Sequence, residues 1–266
     1  MSLELTTDSI RVERDGALAV VNLAQPARGN PIDGVFTRDL RQVASALWDA
    51  PGLRGVLLRA DGANFSVGGD LKAFGPVVDR LGPLVREWTA DLHMGLQRLW
   101  ALPVPVVGVA QGFAMGGGLG VLAGCDVVLA GEATKFGSAF AHLGFSCDSG
   151  SSVTLTARMG AARARRFVML GEMLGAAEAQ SAGLADRIVP DAQLQDEALK
   201  LARQLAAGPT LAYGEIKRLF LKAGGAQMQA QLEDEALTLA RVAASADAQE
   251  GILAMLAKRK PQFKGA

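Results

Sequence analysis

The spacing of apolar residues changes near residue 190. Before it, short apolar runs of strand length alternate with glycine turns and longer helical stretches; after it, only helical spacing remains. "IRVER", an Asp15-Gly16 turn and "ALAVVNLA" predict a β-hairpin, because Asp-Gly between such runs suits a tight turn. "GVFTRDLRQVASALWDA" sets Val35, Phe36, Leu40, Val43, Leu47 and Trp48 at the spacing of an amphipathic helix. "LRGVLLRA" reads as a buried strand that ends in the turn "DGANFSVGGD". The pattern then recurs, with a helical stretch over 78–101, the strand "LPVPVVGVA" and the glycine turn "QGFAMGGGLG". "LGVLAGC" is apolar on every side and predicts a buried helix. "DVVLA" and "ATKFG" are further strands. Strand, turn and helix repeated in this order predict an α/β core with crossover connections.

From about Asp191 four helical patterns follow: "DAQLQDEALKLARQLAA", "TLAYGEIKRLFLKA", "AQMQAQLEDEALTLARVAA" and "ADAQEGILAMLAKRK". Gly208-Pro209 and Gly224-Gly225 separate them. Several carry apolar stripes with no evident sheet to cover. They are expected to pack as a lid on their own core or against neighbouring subunits. The chain thus divides into a core over 1–190, which carries the site, and a helical oligomerisation or lid region over 191–266.

Composition narrows the functional classes. Half of the 266 residues are hydrophobic and a fifth are charged, enough for a sizeable core and too apolar for disorder. Lys and Arg number 27 and Asp and Glu 27, a balance that gives no sign of a nucleic-acid or membrane-surface partner. Cys125 and Cys147 form no CxxC pair and no ligand cluster, so both read as reduced, buried thiols, with no metal site expected. "MSLELTTDSI" lacks the basic start and apolar block of a signal peptide, and "VPVVGVA" is too short to span a bilayer. A cytoplasmic protein is the expectation.

Two glycine turns carry the chemistry. In "MGGGLG", Gly116, Gly117 and Gly118 stand at a strand-to-helix junction, where free N–H groups meet the positive end of a helix dipole. A dinucleotide fingerprint would need glycine at Val121. "FSVGGDL" at 65–71 also ends a strand, with Asp70 placed as a helix N-cap. Two such turns can each lend one N–H to a single carbonyl oxygen, the construction of an oxyanion hole.

With "PVPVVGVAQGFAMGGGLGVLAGCDVVLAGEATKFGSAFAHLGF" and "AAEAQSAGLADRIV" in the same order, the chain resembles the crotonase superfamily of enoyl-CoA hydratases and isomerases over nearly its whole length. The resemblance implies a ClpP-like α/β spiral of repeated β-β-α units with a C-terminal helical trimerisation region. It also implies acyl-CoA thioester substrates, and trimers or dimers of trimers. Coenzyme A would be part of the substrate, and no separate cofactor is expected. The N–H groups of Gly69 and Gly117 would hold the thioester oxygen. Ser66, Gly68, Asp70, Leu71 and Gly116 are the expected substrate contacts in the two turns.

The departures matter as much. Hydratases of this family carry two glutamates at places that here hold Gly120 and Phe140. Between Gly112 and Gly171 the acids are Asp126, Glu132, Asp148 and no other. Asp126 begins a strand and suits a backbone or capping role; Glu132 sits in a glycine-flanked turn, solvated. Asp148 remains. Hydration suits two carboxylates, whereas moving a double bond needs one base that takes a proton and returns it two carbons away. Phe140, Leu143 and Phe145 supply an apolar lining that would raise the Asp148 pKa. "AFxxLGxxxDSG" is similar to phenylacetate-pathway epoxy-enoyl-CoA isomerases and some Δ3,Δ2-enoyl-CoA isomerases, in which the matching aspartate is the acid/base.

Other readings stay open. A histidine matching His93 serves 4-chlorobenzoyl-CoA dehalogenases, where the aspartate attacks the ring, but those enzymes carry tryptophan where Phe140 stands. A non-catalytic acyl-CoA-binding homologue is a second alternative. A serine hydrolase built on "DSGSS" lacks a nucleophile elbow. CoA itself is expected to meet Arg28 in "PARGN", and Phe263 and Lys264 in "KRKPQFKG", with solvated surface positions as the alternative. Pocket walls are expected from residues 70–90.

Overall fold

The computed structural model describes residues 4–223 and 228–266. Strands β1 (Leu5–Thr6), β2 (Ile10–Asp15) and β3 (Leu18–Leu23) form an antiparallel meander. Asp15 pairs with Leu18, so the hairpin turns on Gly16 and Ala17, one position later than the Asp15-Gly16 expectation. Gly16 adopts a φ of 60°, which the first central position of this turn requires. Helix α1 (Gly34–Trp48) starts on Asp33, whose carboxylate accepts the N–H groups of Val35 and Phe36. Its stripe of Phe36, Leu40, Val43 and Leu47 is buried.

Next come β4 (Gly55–Ala60), the short α2 (Leu71–Phe74), α3 (Leu81–Ala101), β5 (Val106–Ala110), β6 (Phe113–Met115) and α4 (Gly116–Ala123). They are followed by β7 (Val127–Gly131), β8 (Lys135–Gly137), α5 (Ser151–Met159), α6 (Ala161–Leu170), β9 (Met173–Gly175), α7 (Ala176–Ser181) and β10 (Arg187–Val189). The tail is α8 (Leu194–Ala207), α9 (Thr210–Ala223), α10 (Met228–Ala243) and α11 (Ala246–Leu256). The Gly224-Gly225 break lies outside the described residues.

Among the described residues, one sheet runs in the order β1-β2-β3-β4-β5-β7-β10, parallel from β3 onward. A second runs β6-β8-β9. Alternation along β3 sorts its side chains between two cores: Ala19 and Val21 face α1 and α3, while Leu18 and Val20 face α8. This corrects the reading of the tail stripes. Leu194, Ala198, Ala202 and Ala206 of α8 cover the second face of the large sheet, together with Leu57, Val107, Val109 and Leu129. A sequence shows a stripe but not the distant strands it lies on. Helix α10 packs along α3, and α11 packs over α2. Among the described residues, no helix is long and apolar enough to cross a membrane.

Candidate active site

The two glycine turns lie side by side. Ser66 N–H donates to Phe113 O at 2.9 Å and Met115 N–H donates to Ser66 O at 3.0 Å, which extends β6 into the 65–69 turn. Gly68 has a φ of 83°, and a Cβ built there would lie 3.1 Å from Met115 O, so neither the conformation nor the gap accommodates a side chain. Gly69 pairs with Ile32, and its N–H has no acceptor among the described residues. Gly117 stands in the first turn of α4, whose N-cap Met115 contributes no side-chain bond. The N–H groups of such a first turn have no partner within the helix. Both glycines line one cavity of about 330 Å³.

Asp148 lines the same cavity. A Cβ built on Gly117 would lie 3.5 Å from its Oδ1, which puts the acid directly beside the glycine turn. Burial pushes its pKa up to about 6, against the hydrogen bond that Ser149 Oγ donates to Oδ1 at 3.0 Å. The wall also holds Asp33, but that carboxylate caps α1 and receives Arg28 at 2.6 Å. Asp148 is the cavity-wall acid free of such commitments among the described residues. Gly116, Leu71, Phe140, Leu143 and Phe145 line the cavity around these groups.

The absent glutamates leave different traces. Phe140 puts an apolar ring on the wall where the second acid of a hydratase is expected. At Gly120 no room is left at all: a Cβ there would lie 2.6 Å from Ser151 Oγ and 2.7 Å from Ser149 O. The chain that follows Asp148 fills that space.

Several expected contacts lie off the wall. Arg28 is bound to Asp33, Asp70 and Gln25, so its guanidinium ties two helix N-caps rather than standing free for a phosphate. Asp70 caps α2 through the N–H groups of Lys72 and Ala73, as expected of it, and does not line the cavity. Burial pulls its pKa upward, but the Arg28 bond and the backbone donors outweigh this and leave it below the ordinary value. Ser66 is fully buried, donating to Asn30 O at 2.7 Å and accepting from Gly68 N–H at 3.2 Å, so it supports the turn from behind. Phe263 is exposed, and the segment around Lys264 folds back on α11, with Lys264 N–H donating to Asp247 at 2.7 Å.

His93 is also displaced. It is buried on the α3 face packed against α10, beside the Leu232 backbone, and does not line the cavity. Burial lowers its pKa to about 4. Asp126 accepts Val106 N–H at 2.8 Å and pairs with Lys217, the backbone role expected of it. Cys125 and Cys147 are free thiols, pushed up to about 12 by burial.

The wall includes residues that pattern alone did not single out. Phe74, Val85, Trp88 and Thr89 fall in the expected 70–90 segment, and Leu239 and Met255 reach in from α10 and α11. Phe74 and Trp88 stack with centroids 5.9 Å apart, and Phe145 lies tilted 6.5 Å from Phe74. Behind Asp148, Glu235 of α10 is buried as well.

A family model described as enoyl-CoA hydratase/isomerase matches residues 13–266. The chain belongs to this family. It is 34% identical over 250 residues to 1,2-epoxyphenylacetyl-CoA isomerase of Escherichia coli K12, which covers 92% of this chain and 94% of that one. It is 30% identical over 266 residues to carnitinyl-CoA dehydratase of Escherichia coli K12, covering 97% and 99%. The crystal structure of an enoyl-CoA hydratase from Mycobacterium avium subsp. paratuberculosis K-10 superposes with a TM-score of 0.88 at 27% identity, covering 97% of this chain and all of that one. The crotonase-type α/β spiral is therefore the fold, and an acyl-CoA enzyme the class. The relatives' names divide between isomerase, dehydratase and hydratase.

Proposed function

We propose that this protein is an enoyl-CoA isomerase in which Asp148 acts as the acid/base and the N–H groups of Gly69 and Gly117 hold the thioester oxygen. The observation that carries this reading is that Asp148, among the described residues, is the cavity-wall acid held in no cap or ion pair, while Gly120 leaves no room for an acidic side chain. Asp148 takes a proton from C2 of a 3-enoyl thioester. The electron pair spreads through C2–C4 onto the thioester oxygen, where two amide donors stabilise the dienolate; one such donor is worth about 2.7–4 kcal/mol of barrier. The protonated acid then returns its proton to C4, and the double bond re-forms between C2 and C3. A pKa near about 6 leaves the group ionised at neutral pH, yet a better base than an ordinary aspartate.

Hydration is disfavoured in this reading because the second carboxylate is missing and Gly120 has no space for one. The dehalogenase-like alternative loses its base, since His93 does not line the cavity. A ring-bearing acyl group is the favoured substrate: Phe74, Trp88 and Phe145 form an aromatic wall, and the Phe74 ring lies 2.8 Å from a Cβ built on Gly69. The similarity to 1,2-epoxyphenylacetyl-CoA isomerase supports the same choice. We propose that the working form is a homotrimer or a dimer of trimers, which would cover the exposed Leu211, Ile216, Leu219 and Phe220 of α9.

The test is the conversion of 3-enoyl-CoA to 2-enoyl-CoA, followed by the rise in conjugated-thioester absorbance. Asp148→Asn is expected to abolish turnover with acyl-CoA affinity nearly unchanged. Stoichiometric binding without turnover by the native protein would point instead to a non-catalytic homologue.

A further inference from the structure

The proposed reaction leaves one buried acid unused. Glu235 of α10 is 4% exposed, and its side chain crosses to the N-terminus of α5. Gly150 N–H donates to Oε2 at 2.8 Å and Ser152 N–H donates to Oε1 at 2.9 Å. The Ser152 hydroxyl oxygen accepts Gln231 Nε2 at 3.0 Å. Gly150, at the cap position of α5, has no side chain to offer. Glu235 supplies the missing acceptor from 85 residues away. Every group that meets it is a donor, so the ionised carboxylate fits, whereas an amide would turn N–H against N–H.

What this contact holds is the backbone immediately after Asp148. Ser149 has a φ of 56° and Gly150 a φ of 70°, two successive left-handed residues. A side-chain-bearing residue keeps that conformation where its surroundings enforce it. The pair reverses the chain so that Ser151 N–H returns to Asp148 O at 2.9 Å.

We infer that Glu235 is a positioning residue for Asp148: from α10 it locks the first turn of α5, and with it the left-handed pair that aims the acid into the cavity. The inference rests on the reading of Asp148 as the base. Burial first, with Asp148 adding to it, pushes Glu235 up to about 7. The other titratable groups close by are Cys147 on the same loop, near about 12, and His93 on α3, near about 4. Both stay neutral between those limits. Activity therefore requires two ionisations, that of Asp148 and that of Glu235.

The experiment measures kcat and KM for the whole protein with 3-enoyl-CoA from about pH 5 to 9, in native, Glu235→Gln and Asp148→Asn forms. The native kcat is expected to fall toward acid more steeply than one proton allows. Glu235→Gln is expected to lower kcat by about tenfold or more with KM within about threefold, and to leave a one-proton limb. A role confined to stability would change the melting temperature and keep the steepness. A one-proton native limb overturns the inference, as does Glu235→Gln with native kcat and limb; the native measurement stands even where the variant fails to fold. Retained turnover in Asp148→Asn defeats the underlying reading of the base. Its loss beside a one-proton native limb defeats the role of Glu235 alone.

Discussion

Gly120 and Ser151 touch, a Cβ on the former lying 2.6 Å from the hydroxyl oxygen of the latter. The place at which the resemblance to hydratases leads one to expect an acid is closed here by the chain that follows Asp148. Gly120→Glu is therefore expected to destabilise the protein, since forcing atoms into a packed site costs about 1–3 kcal/mol, and to confer no hydratase activity. Thermal melting and a 2-enoyl-CoA hydration assay check this. A variant that melts like the native protein and hydrates its substrate contradicts it.

The raised acids have a second consequence. Asp148 and Glu235 titrate near about 6 and about 7 in the folded protein, above the ordinary 3.8 and 4.5. The folded state therefore binds their protons more tightly than the unfolded chain, and stability falls as pH rises. The loss is absent below about pH 4, grows through the interval up to the folded values, and is complete above them. Each unit of upward shift corresponds to about 1.4 kcal/mol at neutral pH. Asp148→Asn should then melt above the native protein at pH 8 and approach it near pH 4. An equal difference at both pH values would count against the burial of this charge.

Arg28 makes a different prediction from the one its position in "PARGN" suggests. It joins the capping carboxylates of α1 and α2, Asp33 and Asp70, which directly follow the bridged pair Ile32 and Gly69. Arg28→Ala is expected to lower stability by about 1 kcal/mol and kcat by several-fold through loosening of the Gly69 turn. Acyl-CoA affinity and its salt dependence should remain unchanged. A large, salt-sensitive loss of affinity would return Arg28 to the CoA phosphates.

The aromatic wall predicts selectivity. Trp88→Ala removes the ring stacked on Phe74 and enlarges the acyl end of the cavity. Ring-bearing thioesters should lose about tenfold in kcat/KM, whereas short linear ones lose little, because an aromatic contact is worth about 0.5–1.5 kcal/mol beyond its buried area. Equal losses for both classes would remove the wall from the substrate's path.

Much of this architecture was legible in the sequence because its signals are local. The helices at 34–48 and 116–123, the strands at 55–60 and 106–110, and both glycine turns stand where spacing and composition put them. Strands β6, β9 and β10 have three residues each, too few to show a period, and "QGFAM" read as turn alone. The stripe on α8 was visible, but its partners are strands far away in the chain. Arg28 looked free because nothing local announces that Asp33 and Asp70 converge on it. Glu235 was silent for the same reason: among "LEDEAL" it reads as one more helix-surface acid until α10 lies across the start of α5.

The central claim concerns one proton, and deuterium reports it directly. Given 3-enoyl-CoA dideuterated at C2, the native protein should deliver one deuterium to C4 of the 2-enoyl product, so that the product keeps its label by mass spectrometry, and Asp148→Asn should bind the thioester and transfer none. Transfer at the native rate in Asp148→Asn, or a native product whose new C4 hydrogen comes wholly from solvent, would contradict the account.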